Sequence, residues 1–370
     1  MTGSLIRCVG GAVVAVSVGS HASGSAYSTY GASFESFTPP AFGSVGSFGT
    51  LGDNLSDGRM LAVTGNTVFV ETAVGSRDFQ PVASFDSAFS GGSVDPAFVR
   101  TSPDGSRIAI GLGFGKPVAV FDASALGTIG SPVMLTSANT RYFNVPHYDA
   151  AWRNGNELAI NYGAAGFMSA VSLLDVGSPV ASPVNPTIIS NIGGGSSSVA
   201  FDSIGRLYTA NGFDTVSGGS DTGHIRAFEV SDWMGGAADF ETGGTLIGDV
   251  LSGVSLGFDN EGNLFVGGGD FGSDVDGGYA GVISAEAIDD AWLGSPIDRS
   301  EMNDLRMLDP LGTGFGFFVT AYNEITGELI VIDNDFSTGA STWYATVPAP
   351  PLTPPTLALL AAFTVRRRRR

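Results

Sequence analysis

Short apolar or alternating runs recur along the chain between residues 27 and 345. They are rich in Val, Ile, Phe and Tyr, and clusters of Gly, Asp, Asn and Ser separate them. This pattern is typical of β-strands joined by turns, and almost no helical periodicity accompanies it. The body of the chain is therefore predicted to be all-β.

A turn that ends in glycine, followed by one or two polar residues and then a strand, recurs six times in this region. Successive copies lie 47 to 65 residues apart. A period of about 40 to 50 residues with several strands per unit is typical of β-propeller blades. The sequence therefore predicts a β-propeller of about six four-stranded blades over residues 27–346, with a β-sandwich or a β-helix as the rival fold. The glycines of the six turns are Gly58, Gly105, Gly155, Gly205, Gly262 and Gly327.

The number of blades depends on the start of the body. Residues 27–46 could supply an extra half-blade, and hence a seventh blade, or the strand that closes the ring onto residues 342–346. Each turn strand is followed by another predicted strand, which would be the third strand of its blade. A tight hairpin needs a positive φ at its corner, which glycine adopts at low cost, so the six glycines are predicted to be structural. The additional strands span residues 67–71, 117–122, 169–175, 224–230 and 281–285.

One copy of the turn reads Ser-Pro-Asp-Gly over residues 102–105 and precedes the strand IAIG. This turn and strand resemble those of WD40-like and YVTN-type β-propeller repeats. The resemblance implies the propeller fold and implies no function.

The composition narrows the classes of partner and of chemistry. The chain carries 36 acidic and 17 basic residues, a formal net charge of −19, and its pI is about 4.3. Nucleic acid is excluded as a partner, because a polyanion needs a basic footprint. The one cysteine, Cys8, lies in a segment that we expect to be removed, so disulfides and cysteine-based sites are excluded from the mature protein.

Residues 1–26 have the pattern of a secretory signal peptide. Arg7 lies in a short positive region, residues 8–19 are apolar, and small residues follow. Such a segment directs export across the inner membrane and is then removed. Cleavage is expected after Ala22 or after Ala26.

Residues 347–370 form a second terminal signal, with a proline-containing motif, an apolar stretch over residues 352–365 and an arginine cluster. This order resembles the PEP-CTERM sorting signal of exosortase-processed bacterial surface proteins, with alanine where that family usually has glutamate. The resemblance implies a C-terminal sorting protease or transpeptidase as partner, transient membrane anchoring, and a location in the cell envelope, at the cell surface or in the extracellular matrix. The sorting residues are Val347, Pro348, Ala349, Pro350, Arg366, Arg367, Arg368, Arg369 and Arg370.

Two acidic, glycine-rich loops are the candidate metal site. Residues 211–224 and 269–279 are predicted on the same face of the propeller, where Asp333 and Asp335 would join them. Carboxylates in flexible loops are ligands that Ca²⁺ prefers, although aspartates that cap their own solvated turns would give the same pattern. The spacing does not fit an EF-hand. The candidate calcium ligands are Asp214, Asp221, Asp270, Asp274 and Asp276.

Three residues are the candidates for catalysis. His147 and Asp149 precede the third turn, and Asp95 precedes the strand of the second repeat, which places all three near the mouth of the channel. A histidine bonded to a neighbouring backbone group is the alternative to a general base. The sequence contains no G-x-S-x-G, H-E-x-x-H or P-loop pattern.

These observations predict an exported propeller with a non-catalytic binding or structural role, whose partner would be a polysaccharide or a surface protein. The alternative is a calcium-dependent propeller hydrolase or lactonase, in which a metal polarises a carbonyl and His147 or Asp149 moves a proton. The propeller fold hosts both classes and does not decide between them.

Overall fold

The computed structural model describes most of the predicted body. The predicted signal peptide and sorting tail lie outside the described residues. The described residues are 34–37, 50–90, 94–113, 115–164, 168–177, 186–193, 198–211, 223–250, 253–268, 279–298, 301–304, 316–335 and 340–346.

These residues form six sheets of four or five strands, which are the blades of a β-propeller. Within each sheet the first four strands are antiparallel neighbours. From the centre outward, blade 1 contains β2 (Leu51–Asn54), β3 (Met60–Thr64), β4 (Thr67–Glu71) and β5 (Phe79–Phe85); blade 2 contains β6 (Phe98–Thr101), β7 (Arg107–Gly111), β8 (Val118–Asp122) and β10 (Arg141–Phe143); and blade 3 contains β11 (Asp149–Trp152), β12 (Glu157–Ala164), β13 (Met168–Asp175) and β14 (Thr187–Gly193).

The remaining strands form three further blades. Blade 4 contains β15 (Ser198–Phe201), β16 (Leu207–Ala210), β17 (Gly223–Phe228) and β19 (Thr245–Val250); blade 5 contains β20 (Ser255–Phe258), β21 (Leu264–Gly268), β22 (Tyr279–Ile283) and β23 (Asn303–Asp304); and blade 6 contains β24 (Gly316–Asn323), β25 (Glu328–Asp335), β26 (Ala340–Thr346) and β1 (Phe34–Phe37). Each innermost strand contacts the innermost strand of the next blade, and β24 contacts β2, so the ring is closed. The predicted six-bladed propeller is confirmed.

The N-terminal strand closes the ring. β1 pairs antiparallel with β26, from Phe34 opposite Thr346 to Phe37 opposite Trp343. The first described strand is therefore the outermost strand of the last blade. Of the two roles predicted for residues 27–46, closure is the correct one, and the half-blade is wrong.

The two faces of the propeller are built differently. The connections between the first and second strands, and between the third and fourth, lie on one face, here called the turn face. The connections between the second and third strands lie on the opposite loop face, where the innermost strands begin. All six predicted turn glycines lie on the turn face. Five of them have a positive φ, as expected, but Gly155 does not. A Cβ at Gly155 would lie 2.5 Å from Oδ2 of Asp104, so close approach favours glycine there.

The core consists of six apolar clusters, each at the junction of two neighbouring blades. Alternate residues of one strand belong to different clusters. Ile108 and Ile110 pack toward blade 1, whereas Ala109 packs toward blade 3. Both faces of a blade are thus buried, which explains why the strands read as short continuous apolar runs.

The outer edges of two blades are covered by short strands that the sequence pattern does not predict. β9 (Val133–Leu135), from the connection that follows β8, pairs in parallel with β5 of the preceding blade. β18 (Ala238–Asp239) pairs in the same way with β14. Such pairing protects the exposed edges of sheets. The helices are α1 (Ser87–Ser90), α2 (Val230–Trp233) and α3 (Ala285–Trp292), with a 3₁₀ turn at Ala123–Ala125. None of the described helices has the length and apolar character needed to span a bilayer.

Candidate functional site

Polar side chains of the innermost strands surround the channel, and Asp149 is one that contacts two neighbouring blades. It is the first residue of β11 and is 3% exposed. Its Oδ1 accepts a hydrogen bond of 2.6 Å from Nη2 of Arg100 in blade 2. Its Oδ2 accepts one of 3.3 Å from the backbone N–H of Val199 in blade 4. One carboxylate therefore connects three blades.

Arg100 is held by more than its ion pair. Its Nε donates to the carbonyl of Ala150 at 2.8 Å, and its Nη1 donates to the carbonyl of Val99 at 3.0 Å. The backbone carbonyl of Arg100 accepts a hydrogen bond from Nε1 of Trp152 at 2.9 Å. The guanidinium is thus fixed in one orientation, which positions Nη2 on Asp149.

Similar contacts occur at all six blade junctions, and we call this set the channel ring. Some of its members are backbone groups that accept or donate to a neighbouring side chain. Besides the contacts of Asp149 with Arg100 and Val199, the channel ring contains Thr101 N–H to Asp53 Oδ2 (2.6 Å), Ser198 Oγ to Gly253 O (3.0 Å), Thr320 N–H to Ser255 Oγ (3.1 Å) and Asn323 Nδ2 to Asn54 Oδ1 (3.1 Å).

Two carboxylates of the channel ring have shifted pKa values. Burial raises the pKa of Asp149, and the attraction of the Arg100 guanidinium opposes the rise. Burial also raises the pKa of Asp53, and Arg100 again opposes it. Arg100 therefore acts electrostatically on one carboxylate in blade 1 and on one in blade 3.

His147 is buried at the loop face, two residues before β11. Its Nδ1 lies 3.0 Å from the carbonyl of Val145, and its ring meets Phe98 edge-on with the centroids 5.6 Å apart. Burial lowers the pKa of His147. The imidazole, in edge-on contact with Phe98, fills the end of the junction between blades 2 and 3.

The three catalytic candidates have different hydrogen-bond partners. The backbone N–H of Asp95 bonds to the carbonyl of Leu112 at the loop face, whereas the carboxylate of Asp149 is bonded to Arg100 and Val199. Within the described part of the chain, no three His, Cys, Asp or Glu side chains are arranged to hold a metal ion.

The five candidate calcium ligands and the sorting residues lie outside the described residues, as does the side chain of Asp335. The ends of the two acidic loops are described. Asn211 and His224 are joined by backbone hydrogen bonding, and Gly268 pairs with Tyr279. Both pairs lie at the loop face in adjacent blades, as predicted. Asp333 lies on β25, opposite Thr342. Calcium binding stays a prediction.

A polar cavity of about 240 Å³ lies on the turn face between blades 6, 1 and 2. The sequence pattern does not predict this cavity, because its lining comes from turns that are far apart in the chain. Hydrogen bonds from Ser102 and Ser106 lower the pKa of Asp104 at its rim to about 2. The lining includes Asp53, Asn54, Asp104, Tyr322 and Glu324.

Comparisons with known proteins show the fold alone. No protein-family model matches the sequence, and no curated protein sequence matches it either. A luciferin-regenerating enzyme superposes with a TM-score of 0.50 at 14% identity, over 86% of this chain and 96% of the other. The PQQ-bound aldose sugar dehydrogenase of Streptomyces coelicolor gives 0.48 at 12% identity, over 85% and 99%. The propeller domain of Cps50 (Swd1) from Myceliophteria thermophila gives 0.47 at 13%, over 85% and 100%. At such identities a shared propeller implies no shared activity.

Proposed function

We propose that this chain is an exported β-propeller with a non-catalytic binding or structural role, delivered to the cell envelope or the extracellular matrix. The observation that carries the non-catalytic role is the bonding of Asp149. Both of its oxygens are engaged by groups of neighbouring blades, and a 2.6 Å ion pair with a fixed arginine leaves it poorly suited to exchange protons with a substrate.

The surroundings of His147 support the same proposal. A general base needs a pKa near the working pH and access to the proton that it removes. Burial lowers the pKa of His147, and the residue is 5% exposed. These properties fit a packing role better than the proton transfer required by the hydrolase alternative.

The two terminal sequence signals support export and sorting. Residues 1–26 would direct the chain across the inner membrane, and the apolar stretch with its arginine cluster would hold the tail transiently in the bilayer. The acidic body would then be released or retained outside, where a polysaccharide or a surface protein is the partner class that we propose.

The proposal is tested by expressing three proteins in a Gram-negative host: the full chain, a chain that ends at Thr346, and a full chain in which glutamine replaces the five terminal arginines. Mass spectrometry should find a mature N-terminus at Ser23 or Tyr27 in all three. The full chain should fractionate with the membrane, and the truncated chain should be soluble in the periplasm.

The arginine variant is the matched control for tail hydrophobicity. It keeps the apolar stretch but loses the charges that hold the end on the cytoplasmic side, so its membrane retention should be weaker. An intact Met1 together with a cytoplasmic location would overturn the proposal. So would membrane retention that does not depend on residues 347–370.

A further inference from the structure

The two ends of the described body meet at one place on the turn face. β26 ends at Thr346, whose Oγ1 accepts a hydrogen bond of 3.0 Å from the backbone N–H of Leu329. Leu329 follows the turn of blade 6 by two residues. Phe34, the first residue of β1, pairs with Thr346. The segments that precede residue 34 and follow residue 346 therefore both join the propeller at the turn face.

The connection between this point and the apolar stretch of the tail is short. Five residues, 347–351, separate Thr346 from Leu352. An extended chain spans at most about 3.6 Å per residue, so the two positions are within about 20 Å of each other. Whenever the tail is inserted in a bilayer, the edge of the turn face at blade 6 is held within that distance of the membrane.

Most of the large apolar side chains that are exposed among the described residues lie on the same face. Six of the seven large hydrophobic residues that are exposed occur in turn-face connections, with 43% to 85% of their surface accessible. The seventh, Met134, lies on the outer strand β9. Apolar side chains at the tips of connections suit contact with the interfacial region of a bilayer. The six are Val74, Ile129, Ile204, Met234, Leu293 and Ile325.

A groove of about 510 Å³ lies on the turn face between blades 1 and 2, and its lining combines apolar side chains with the ion pair of Asp57 and Arg59. Leu55, Val70, Val82 and Leu126 line it together with Ile129. Blade 1 adjoins blade 6, from which the tail departs. The groove is therefore near the point at which a membrane-inserted tail would hold the propeller.

The charge of the protein decides whether it can approach anionic or zwitterionic lipids. Arginines of the turn face are paired with carboxylates, as in Arg59 with Asp57 at 2.7 Å and Arg206 with Asp202 at 2.5 Å. They are therefore not free to attract anionic headgroups, and the chain carries a net charge of −19. Such a surface is repelled by anionic lipids but approaches zwitterionic ones without this penalty.

We propose that the turn face lies against a zwitterionic lipid surface while the tail is inserted, and that the loop face is presented away from the membrane. This inference rests on the proposed function, since it takes the tail as the membrane anchor. It adds an orientation: the partner meets the loop face, where the two acidic loops begin and end.

The test uses the full chain with Cys8→Ser and one cysteine introduced at a time for a nitroxide label. Ile204→Cys and Leu293→Cys place the label on the turn face, and Asn144→Cys places it at an exposed position of the loop face. The proteins are added to phosphatidylcholine vesicles that contain a nickel-chelating lipid, and the paramagnetic relaxation of each label is measured. Chains that end at Thr346 serve as controls.

Relaxation by nickel should be several times stronger for both turn-face labels than for the loop-face label, and only in chains that carry the tail. Equal relaxation at the three positions, or stronger relaxation at Asn144→Cys, would overturn the orientation while leaving the anchor intact. Vesicle binding that does not require the tail would overturn the proposed function and this inference with it. Vesicles of phosphatidylglycerol should bind the chain more weakly.

Discussion

The substitution Asp149→Ala tests whether this carboxylate holds the blades together. Its side chain is 4% exposed and that of Arg100 is 14% exposed. Removing the carboxylate leaves the guanidinium buried beside blade 3 without its anion, and it leaves the backbone N–H of Val199 without its acceptor. Both consequences destabilise the folded state and not the unfolded chain.

The magnitude follows from the burial of the pair. Breaking a buried ion pair by removing one partner costs about 3–5 kcal/mol, because the other charge stays desolvated. For a domain larger than about 250 residues, 1 kcal/mol corresponds to about 2 °C in the unfolding midpoint. The variant should therefore unfold about 6–10 °C below the parent protein.

Asp149→Asn keeps the shape of the side chain and one acceptor oxygen, so it should lose less stability than Asp149→Ala. The double variant Arg100→Met, Asp149→Ala removes both charges, so its loss should be smaller than the sum of the two single losses. Asp57→Ala is the matched control. It removes an ion pair at the surface, which contributes less than about 1 kcal/mol.

Thermal and urea unfolding of these four variants and of the single variant Arg100→Met can contradict this reasoning. Catalytic carboxylates are often held at a cost to stability, so removing one leaves the midpoint unchanged or raises it. A midpoint of Asp149→Ala at or above that of the parent would show that Asp149 is not a structural link. The hydrolase alternative would then regain its strongest candidate residue.

Four further predictions concern closure, turns, pH and calcium. Phe37→Ala, on the closing strand, should lower the free energy of unfolding in urea by about 2 kcal/mol, because Phe37 packs edge-on against a buried tryptophan. Glu35→Ala, at an exposed position of the same strand, should lower it much less. Gly105→Ala should destabilise more than Gly205→Ala, because both have a positive φ but only at Gly105 would the Cβ clash, at 2.2 Å from a serine Cβ; equal losses would contradict this. Burial lowers the folded-state pKa of His147 below 6.5, so the unfolded chain takes up a proton at a higher pH than the folded protein does. The free energy of unfolding of the wild type should therefore fall as the pH decreases below about 6.5, and His147→Gln should reduce that fall. If the acidic loops bind calcium, millimolar calcium should raise the free energy of unfolding of EDTA-treated protein by about 2.7 kcal/mol at a hundredfold excess over Kd, and the unfolding midpoint should rise with it. An unchanged midpoint would assign those aspartates to solvated turns.

The fold could be predicted because its signals are local. A glycine turn, such as that at Gly262, and the apolar strand after it are adjacent in sequence, and the repeat of this unit gives the number of blades. The strands that cover outer edges carry no such signal. β9 is three residues long and pairs with a strand about fifty residues earlier, so its role depends on the three-dimensional path of the chain.

The contacts of the channel ring could not be predicted from the sequence, and one residue shows why. Asp149 stood out as an acid near the channel mouth, but its partners Arg100 and Val199 lie about fifty residues away in either direction. The sequence does not single out Arg100, because a single arginine in a strand is usually interpreted as a solvent-facing residue. The blade period places residues 50 apart side by side, so a search for opposite charges one period apart would have found this pair.

Because the side chains of the channel ring join neighbouring blades, they cannot be substituted without weakening a junction. Changing Asp149 or Arg100 would weaken a junction, whereas changing a loop between the second and third strands of a blade leaves the ring intact. The longest such loops belong to blades 4 and 5, which also have the two longest repeats in the sequence. Both of these acidic loops begin and end on the loop face, opposite the face where both terminal segments join. An anchored propeller needs its binding residues on the side away from the membrane, and this distribution is what the proposed orientation requires.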